Sequence, residues 1–268
     1  MKTVVTDHKK ELVKLIDSLR YKYGVYDIFR DFCEMAAITV SNACAKNDWQ
    51  EREDRYMQVV GKYDEKEAAV FPEMFAHLVL ALEESGPCDI LGQVFMALEI
   101  SNKDAGQFFT PQSVCDMIGD IQAPDMKELV EKHGFITLQE PAVGGGAMVF
   151  GLCKAMAKQG LDFTTQLHVT AIDVDSRCKD MCYVQMSLLG IPGIVWLGDT
   201  LRMQMRSAWV TPVHVIGGWE YKLSLRRQKE QIDAVLAGPV RTESEPIAVE
   251  PAPVISIGKQ GQLELTLV

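Results

Sequence analysis

The sequence predicts an α/β protein, in which a helical region precedes a parallel sheet whose strands are connected by helices. Three observations lead to this prediction. Apolar residues recur at helical spacing through the first third of the chain. Short apolar, β-branched runs then alternate with helical segments. Proline and glutamate are frequent near the C-terminus. We therefore expect a helical region over residues 1–104, an α/β core over 105–239 and a flexible acidic tail over 240–268.

Composition limits the classes of protein that the chain can belong to. Of its 268 residues, 47% are hydrophobic and 24% are charged, which suits one sizeable domain and excludes general disorder. The 27 basic residues against 37 acidic ones leave a net charge of −10, so tight binding of DNA would need a local basic patch or a partner. No apolar run approaches the roughly 18 residues of a membrane helix.

The N-terminus and the cysteines predict where the protein resides. Charged residues follow Met1 too soon for a secretory signal. The seven cysteines are scattered and form no CxxC pair, which fits buried packing in a reducing compartment better than a metal site. We expect a soluble, cytoplasmic chain with no metal and no membrane contact.

The helical region contains three apolar segments. Leu12, Leu15, Ile16 and Leu19 share one face, and a second segment runs from Val25 through Met35. Polar residues interrupt the pattern over 46–64. Residues 68–82 predict a further helix, in which Pro72 is tolerable only within the first turn, and Ser85-Gly86-Pro87 predicts its end.

Strand and helix patterns alternate in the core. Predicted strands cover residues 135–138, 167–172 and 194–197, and predicted helices cover 148–158 and 176–189. This order indicates a Rossmann-like α/β core with a parallel sheet, from about residue 108 to 220. Residues 222–236 predict a helix, and residues 262–268 alternate apolar and polar side chains.

A glycine-rich turn and two acids follow the three predicted strands. Glu140-Pro-Ala-Val-Gly-Gly-Gly-Ala147 joins the first strand to a helix, Asp173 ends the second strand and Asp199 ends the third. Glycines let a ligand approach the backbone, and a carboxylate at the second strand tip can accept hydrogen bonds from ribose hydroxyls. Together these residues indicate a nucleoside pocket. A tight turn and solvated loop acids are the alternative interpretation.

A second motif, Gly106-Gln-Phe-Phe-Thr-Pro111, lies upstream of the sheet. Taken alone, it predicts a helix start with Thr110 as N-cap and Pro111 at the first helical position.

The order of these motifs resembles the N6-adenine DNA methyltransferases, in particular the modification subunit of type I restriction–modification systems. Asp89-Ile-Leu-Gly-Gln-Val-Phe95 is similar to the segment that precedes the cofactor motif there, and the resemblance spans roughly residues 85–202. It implies an S-adenosylmethionine-dependent methyltransferase core that acts on adenine in DNA. It also implies a separate subunit that supplies sequence specificity. Glu140 and Val143 are mild departures from the family's pattern.

The resemblance also implies roles for individual residues. Gln107, Phe108, Phe109, Thr110 and Pro111 would contact the methionine end of S-adenosyl-L-methionine, and the glycines Gly144, Gly145 and Gly146 would lie beneath it. Glu140 would belong to the same pocket. Asp173 would hold the ribose hydroxyls, and Asp199 would accept a hydrogen bond from the adenine amine.

The family's catalytic tetrapeptide, a polar residue followed by Pro-Pro and an aromatic residue, is absent from the sequence. In the family its polar groups orient the target amine and its ring stacks on the flipped base. Residues 213–219, read as a strand and a tight turn, could stand in with Trp219 as the ring and His214 as a base. A lone histidine in an apolar strand is, however, more often a packed core residue. Residues 233–240, with Gly238-Pro239, are the other candidate, although residues 224–236 read better as a helix. The catalytic residues therefore remain unidentified, and a degenerate, cofactor-binding regulatory subunit is the alternative to an active enzyme.

Basic residues and the C-terminus suggest partners. Arg202, Arg206, Arg226 and Arg227 are candidate contacts to DNA phosphates, with a solvated helix face as the alternative. Residues 262–267 resemble the short peptides that dock on the bacterial sliding clamp, although a strand at a sheet edge or disorder would also fit. A methyltransferase acting on RNA or on a small molecule is a further alternative, because the sheet alone would permit it.

Overall fold

The computed structural model describes residues 6–98, 110–236, 254–257 and 263–266. The chain divides into two compact units, residues 1–224 and 225–268. The helical region and the sheet both belong to the first unit. The predicted boundary at residues 104 and 105 lies outside the described residues and stays a prediction.

The described part of the N-terminal region, residues 6–98, contains six helices. They are α1 (His8–Ser18), α2 (Val25–Cys44), α3 (Trp49–Val60), α4 (Glu65–Ala68), α5 (Val70–Ser85) and α6 (Ile90–Ala97). The predicted apolar faces are confirmed, because Leu12 and Ile16 of α1 are fully buried and α2 buries Phe29 and Phe32. Pro72 lies in the first turn of α5, and Gly86 ends that helix with a φ of 65°.

Helix α3 lies in the polar stretch that the sequence pattern left unassigned. Of its twelve residues only Val59 is buried, so its apolar face is too narrow to predict a helix. Polar contacts to α2 hold it instead. Arg55 donates hydrogen bonds to both carboxylate oxygens of Glu34, at 2.6 and 2.8 Å, and Asn42 donates to Glu53 at 3.0 Å.

The core contains a four-stranded sheet in the order β1-β2-β3-β4. Its elements are, in chain order, α7 (Gln112–Gln122), a 3₁₀ turn (Ala123–Asp125), α8 (Met126–His133), β1 (Ile136–Glu140), α9 (Ala147–Lys158), α10 (Phe163–Gln166), β2 (Leu167–Asp173), α11 (Ser176–Leu188), β3 (Gly193–Asp199) and β4 (Gln204–Val210). The predicted α/β class is confirmed, since β1, β2 and β3 run parallel and helices α9 and α11 connect them.

Strand β4 is the main difference from the predicted sheet. It runs antiparallel to β3 and pairs Val195 with Trp209. Its residues are mostly exposed, so no alternation of apolar and polar side chains marked it in the sequence. The hairpin turn contains Met203 with a φ of 55°, a left-handed conformation that non-glycine residues rarely adopt.

Helices on the sheet pack closely where glycines allow it. Helices α7 and α9 meet at Gly119 and Gly151, where a Cβ added to Gly119 would lie 2.5 Å from the Gly151 carbonyl oxygen. Helix α11 lies between the sheet and α2, and every residue from Arg177 to Met186 is buried. The N-terminal helices and the sheet therefore share one continuous hydrophobic core.

The prediction of a strand at the start of residues 213–219 is wrong, whereas the predicted turn is present at Gly217 and Gly218. Those residues begin with helix α12 (Pro212–Ile216), followed by α13 (Trp219–Leu236). Pro212 suits the first turn of a helix, and Thr211 precedes it in the extended conformation of an N-cap. The helix predicted over 222–236 is confirmed. No helix among the described residues is long and apolar enough to cross a membrane.

The second unit contains the end of α13 from Leu225 onward and a two-stranded antiparallel sheet. Strands β5 (Val254–Ile257) and β6 (Leu263–Thr266) form this sheet, with Ile255 opposite Leu265. The strand that was one alternative for residues 262–267 is therefore present, whereas the flexible tail over 240–268 stays a prediction. Gly238-Pro239 lies outside the described residues.

Candidate functional site

The carboxyl ends of three parallel strands meet at one edge of the sheet. Glu140 ends β1, Asp173 ends β2 and Asp199 ends β3. Because the strands run in the same direction and are neighbours in the sheet, their tips lie side by side. The structure thus brings together the three acids that the sequence singled out, and the glycine-rich turn begins directly after the first of them.

The glycine-rich turn has a conformation that favours glycine at each of its three positions. Gly144 and Gly146 have φ values of 55° and 103°, in the left-handed region. A Cβ on Gly145 would lie 2.4 Å from a carboxylate oxygen of Asp89, which is closer than side chains pack. Gly146 is also the N-cap residue of α9, so the turn leads directly into the amino end of a helix.

Asp173 joins the tip of β2 to this turn. Its Oδ2 accepts a hydrogen bond from the backbone N–H of Gly144 at 2.8 Å, and its Oδ1 accepts one from Asp175 at 2.9 Å. The side chain is 9% exposed, and this burial raises the pKa of Asp173, while the two backbone N–H groups oppose the shift. A carboxylate has about four acceptor positions, so this group retains acceptor capacity toward a ligand.

The tip of β3 is tied to β1 in a different way. Thr200 donates a hydrogen bond from its hydroxyl to the carbonyl oxygen of Pro141 at 2.8 Å. Asp199 accepts from the backbone N–H of Arg202 at 3.0 Å, and its Oδ2 lies 3.6 Å from Nε of Arg202. The Glu140 carboxylate makes a local contact, accepting from the N–H of Ala142 at 3.2 Å.

The segment from Gln107 to Pro111 is described only in part. Gln107, Phe108 and Phe109 lie outside the described residues. Pro111 is the N-cap residue of α7 and Gln112 is its first residue, so the helix begins one position later than predicted and Thr110 precedes the cap. Thr110 and Pro111 border a hollow of about 270 Å³ that Asp89 also lines.

A buried network beneath the glycine-rich turn escaped the sequence interpretation. Gln185 of α11 is fully buried, and its Nε2 donates to Oδ1 of Asp89 at 3.0 Å and to the carbonyl oxygen of Gly145 at 2.9 Å. Its Oε1 accepts from the N–H of Leu91 at 3.0 Å. Asp89 also caps α6 by accepting from Gly92 at 2.7 Å. Asp89 opens the quoted motif, but nothing in the sequence pattern marks Gln185, which lies 96 residues away.

The candidates His214 and Trp219 lie away from the acidic edge. His214 Nδ1 lies 2.9 Å from His168 Nε2, near the start of β2, whereas Asp173 ends that strand about 16 Å further on. Trp219 is 1% exposed and packs edge-on against Phe135. A buried ring cannot stack on a base, so the structure does not support a catalytic role for either residue.

The four arginines chosen as DNA contacts are divided between the two units of the chain. Arg202 is exposed beside Asp199, and Arg206 is exposed on β4. Arg226 and Arg227 belong to the second unit, where Arg226 donates to Glu230 at 2.8 Å. Groups of three or more metal-binding side chains do not occur in the described part of the chain.

Comparison with known protein families identifies the family of this chain. A family model for the N-6 DNA methylases matches residues 89–242, which is more than half of the chain. No curated protein sequence matches.

Two solved structures match part of this chain. One, from Listeria monocytogenes, is described as a class I S-adenosylmethionine-dependent methyltransferase. It is 15% identical with a TM-score of 0.39, and the match covers 70% of this chain and 52% of that chain. The other is the methyltransferase subunit of a type I restriction–modification system from Streptococcus thermophilus. It is 18% identical with a TM-score of 0.34, and the match covers 69% of this chain and 36% of that chain. This chain thus spans about half and about a third of their lengths. On the family match, and with its motifs on one sheet edge, the chain belongs to the N-6 DNA methylase family.

Proposed function

We propose that this protein binds S-adenosylmethionine at the carboxyl edge of β1, β2 and β3 and takes part in methyl transfer to adenine in DNA. The hydrogen bond between Asp173 and the N–H of Gly144 is the observation that carries the proposal. It holds the carboxylate of Asp173, at the tip of β2, against the glycine-rich turn that follows β1. A pocket edge that is formed in advance costs little ordering when a ligand binds.

The residues at this edge fit the chemistry of the cofactor, which membership of the family indicates. Asp173 would accept hydrogen bonds from the ribose hydroxyls, and Asp199 would accept one from the adenine amine. Gly144, Gly145 and Gly146 would let the cofactor approach the backbone, with Glu140 beside them. Thr110 and Pro111, with the preceding Gln107–Phe109, would contact its methionine end. When bound, the cofactor supplies the methyl group.

The group that would orient the adenine amine comes, in this proposal, from a partner. The sequence contains no Pro-Pro pair, and the described residues of 213–219 and 233–236 are helical apart from the turn at Gly217 and Gly218. A preorganised acceptor for the reacting amine is a large part of rate enhancement. We therefore propose that a separate specificity or partner subunit completes the site, and the alternative is a degenerate subunit that binds the cofactor without turnover.

Calorimetric titration with S-adenosylmethionine tests the pocket. Asp173→Ala removes both the ligand acceptor and the anchor of the turn, so we expect affinity to fall about 10- to 100-fold, as for the loss of a hydrogen bond to a charged group. Asp17→Ala, at an exposed position on α1, is the matched control. Equal binding by both variants would contradict the proposed pocket.

Detection of N6-methyladenine separates the active enzyme from the degenerate subunit. Cellular DNA exposed to the protein with its partners should gain N6-methyladenine, and Asp199→Ala should abolish this gain. Cofactor binding without methylation by the complete assembly would favour the regulatory role. A labelled-methyl screen of RNA and metabolites would expose a different substrate class.

The remaining partner and location assignments also stay proposals. All seven cysteines are free, which supports a reducing compartment such as the cytoplasm. Docking of residues 262–267 on the sliding clamp requires those residues to be available, although Leu263–Thr266 pairs with β5. Loss of clamp pull-down on deleting residues 262–268 would support docking, and no pull-down by the full chain would refute it.

A further inference from the structure

A polar cavity of about 800 Å³ lies between the N-terminal helices and the outer edge of the sheet. Helices α2 and α3 form one wall, and the first turns of α11 together with β4 form the other. None of the cofactor-binding candidates lines it. The cavity nevertheless lies close to them along the chain, because Ser176 on its wall follows Asp173 by three residues.

The cavity carries more positive than negative groups, although the whole chain has a net charge of −10. Five arginine or lysine side chains and four carboxylates line it. Three of the five cations are paired with acids. Arg55 is bidentate on Glu34, Lys179 lies 2.7 Å from Asp180, and Arg30 pairs with carboxylates on its own helix.

The other two cations have no carboxylate partner among the described residues. Arg52 donates only to neutral acceptors, the side-chain oxygen of Asn42 at 2.7 Å and the carbonyl oxygen of Ala45 at 2.6 Å. Arg206 is exposed and makes no hydrogen bond or ion pair with a described residue. Asp48 and Glu51 on the same lining also have no ion pair among the described residues, so the lining as a whole carries one more positive than negative group. Within that small excess, Arg52 and Arg206 are the guanidinium groups available to an anion.

Two of the lining cations lie close to the ring of Trp209. Trp209 lies on the cavity wall with the Lys179 ammonium 3.4 Å from its ring centroid and the Arg52 guanidinium carbon 5.9 Å from it. Arg206 lies between Met205 and Ser207, which pair with Gly198 and Leu197 near the tip of β3. Arg206 on β4 therefore lies near the sheet edge where Asp173 and Asp199 end their strands.

We propose that this cavity holds a phosphate of the DNA backbone through Arg52 and Arg206, so that the N-terminal helices grip DNA next to the methyltransferase edge. The proposal rests on the proposed function only in taking DNA as the substrate. A chain with a net charge of −10 repels DNA on average, so a cavity whose lining has a net positive charge is a favoured place for a phosphate. DNA is favoured over a free nucleotide because Arg206 is exposed at the surface, where a continuous strand can reach it.

Fluorescence anisotropy of a labelled DNA duplex with the full chain tests the proposal, at several salt concentrations between about 50 and 200 mM. Arg206→Gln should weaken binding about 3- to 10-fold at the lowest salt and reduce the slope of log affinity against log salt by about 1. Arg206→Glu should weaken binding further. Arg20→Gln, an exposed arginine outside the cavity, is the matched control and should change neither value beyond a small general charge effect.

Separate measurements distinguish failure of this proposal from failure of the proposed function. Binding of S-adenosylmethionine, measured by calorimetry, should be the same for Arg206→Gln and for the unaltered chain. If the chain binds the cofactor but Arg206→Gln and Arg20→Gln bind DNA equally, the cavity is not a phosphate site and the proposal is overturned. Competition with inorganic phosphate and with adenosine monophosphate tests the source of the anion. Arg206-dependent binding of either compound, without Arg206-dependent binding of DNA, would overturn the assignment to DNA.

Discussion

Replacing Gln185 by a residue of similar size should lower the stability of the protein strongly. It is fully buried and makes three hydrogen bonds that connect α6, the glycine-rich turn and Asp89. The N–H of Leu91 lies in the first turn of α6, where a helix leaves its backbone donors without partners of their own. Gln185→Met keeps the volume and removes all three bonds.

The expected loss of stability follows from the groups left without partners. The N–H of Leu91 and the carbonyl oxygen of Gly145 would each lose a bond to a buried side chain, at about 1–3 kcal/mol apiece. Asp89 would keep its bond from Gly92 but lose the second donor to its oxygen. We expect Gln185→Met to lower the free energy of unfolding by about 3–5 kcal/mol. In a protein of this size that corresponds to a fall in Tm of about 6–20 °C.

Urea unfolding followed by circular dichroism measures this loss, with Gln58→Met as the control because Gln58 is exposed on α3. Because Gly145 belongs to the turn, the folded fraction of Gln185→Met should also bind S-adenosylmethionine more weakly than the control does. A difference below about 1 kcal/mol between the two methionine variants would refute the reasoning, since it would mean that water or backbone rearrangement satisfies the freed groups.

Three further changes have expected outcomes that other measurements check. Gly145→Ala places a Cβ 2.4 Å from the buried carboxylate of Asp89, so affinity for S-adenosylmethionine should fall at least about tenfold; unchanged calorimetric affinity would show that the turn can shift freely. Gly119→Ala places a Cβ 2.5 Å from the Gly151 carbonyl oxygen and should cost about 2–4 kcal/mol in thermal unfolding, because two helix backbones must separate. Burial lowers the pKa of His168 to about 4, with the charge of its neighbouring histidine adding to the shift. The unfolded chain then binds a proton more readily, so this group should remove about 2 kcal/mol of stability between about pH 7.5 and 5. His168→Gln should lack that part of the pH dependence in urea titrations, and an unchanged dependence would assign it to other groups.

The sequence alone determined the α/β class and the residues at the sheet edge. Strand β2 is almost wholly buried, β3 is partly buried and β1 alternates half-buried with exposed side chains, yet each contains a short, mostly apolar run. Because parallel strands place their carboxyl ends together, Glu140, Asp173 and Asp199 could be assigned to one edge from local pattern. The sequence pattern was less informative for elements that are held by polar contacts instead of by burial of apolar side chains. Helix α3 and strand β4 expose most of their side chains, and for that reason neither carried a recognisable period.

Only the tertiary structure decided which distant residues support the site. Gln185 reaches Asp89 across 96 residues, and Arg52 of a polar helix joins Arg206 of an unpredicted strand at one cavity. It also separated His214 from the acidic edge, because residues 212–216 form a helix that places this side chain against His168. Periodicity reports the face of one element that is buried, whereas hydrogen bonds and charge pairs between elements depend on packing that no local window of sequence contains.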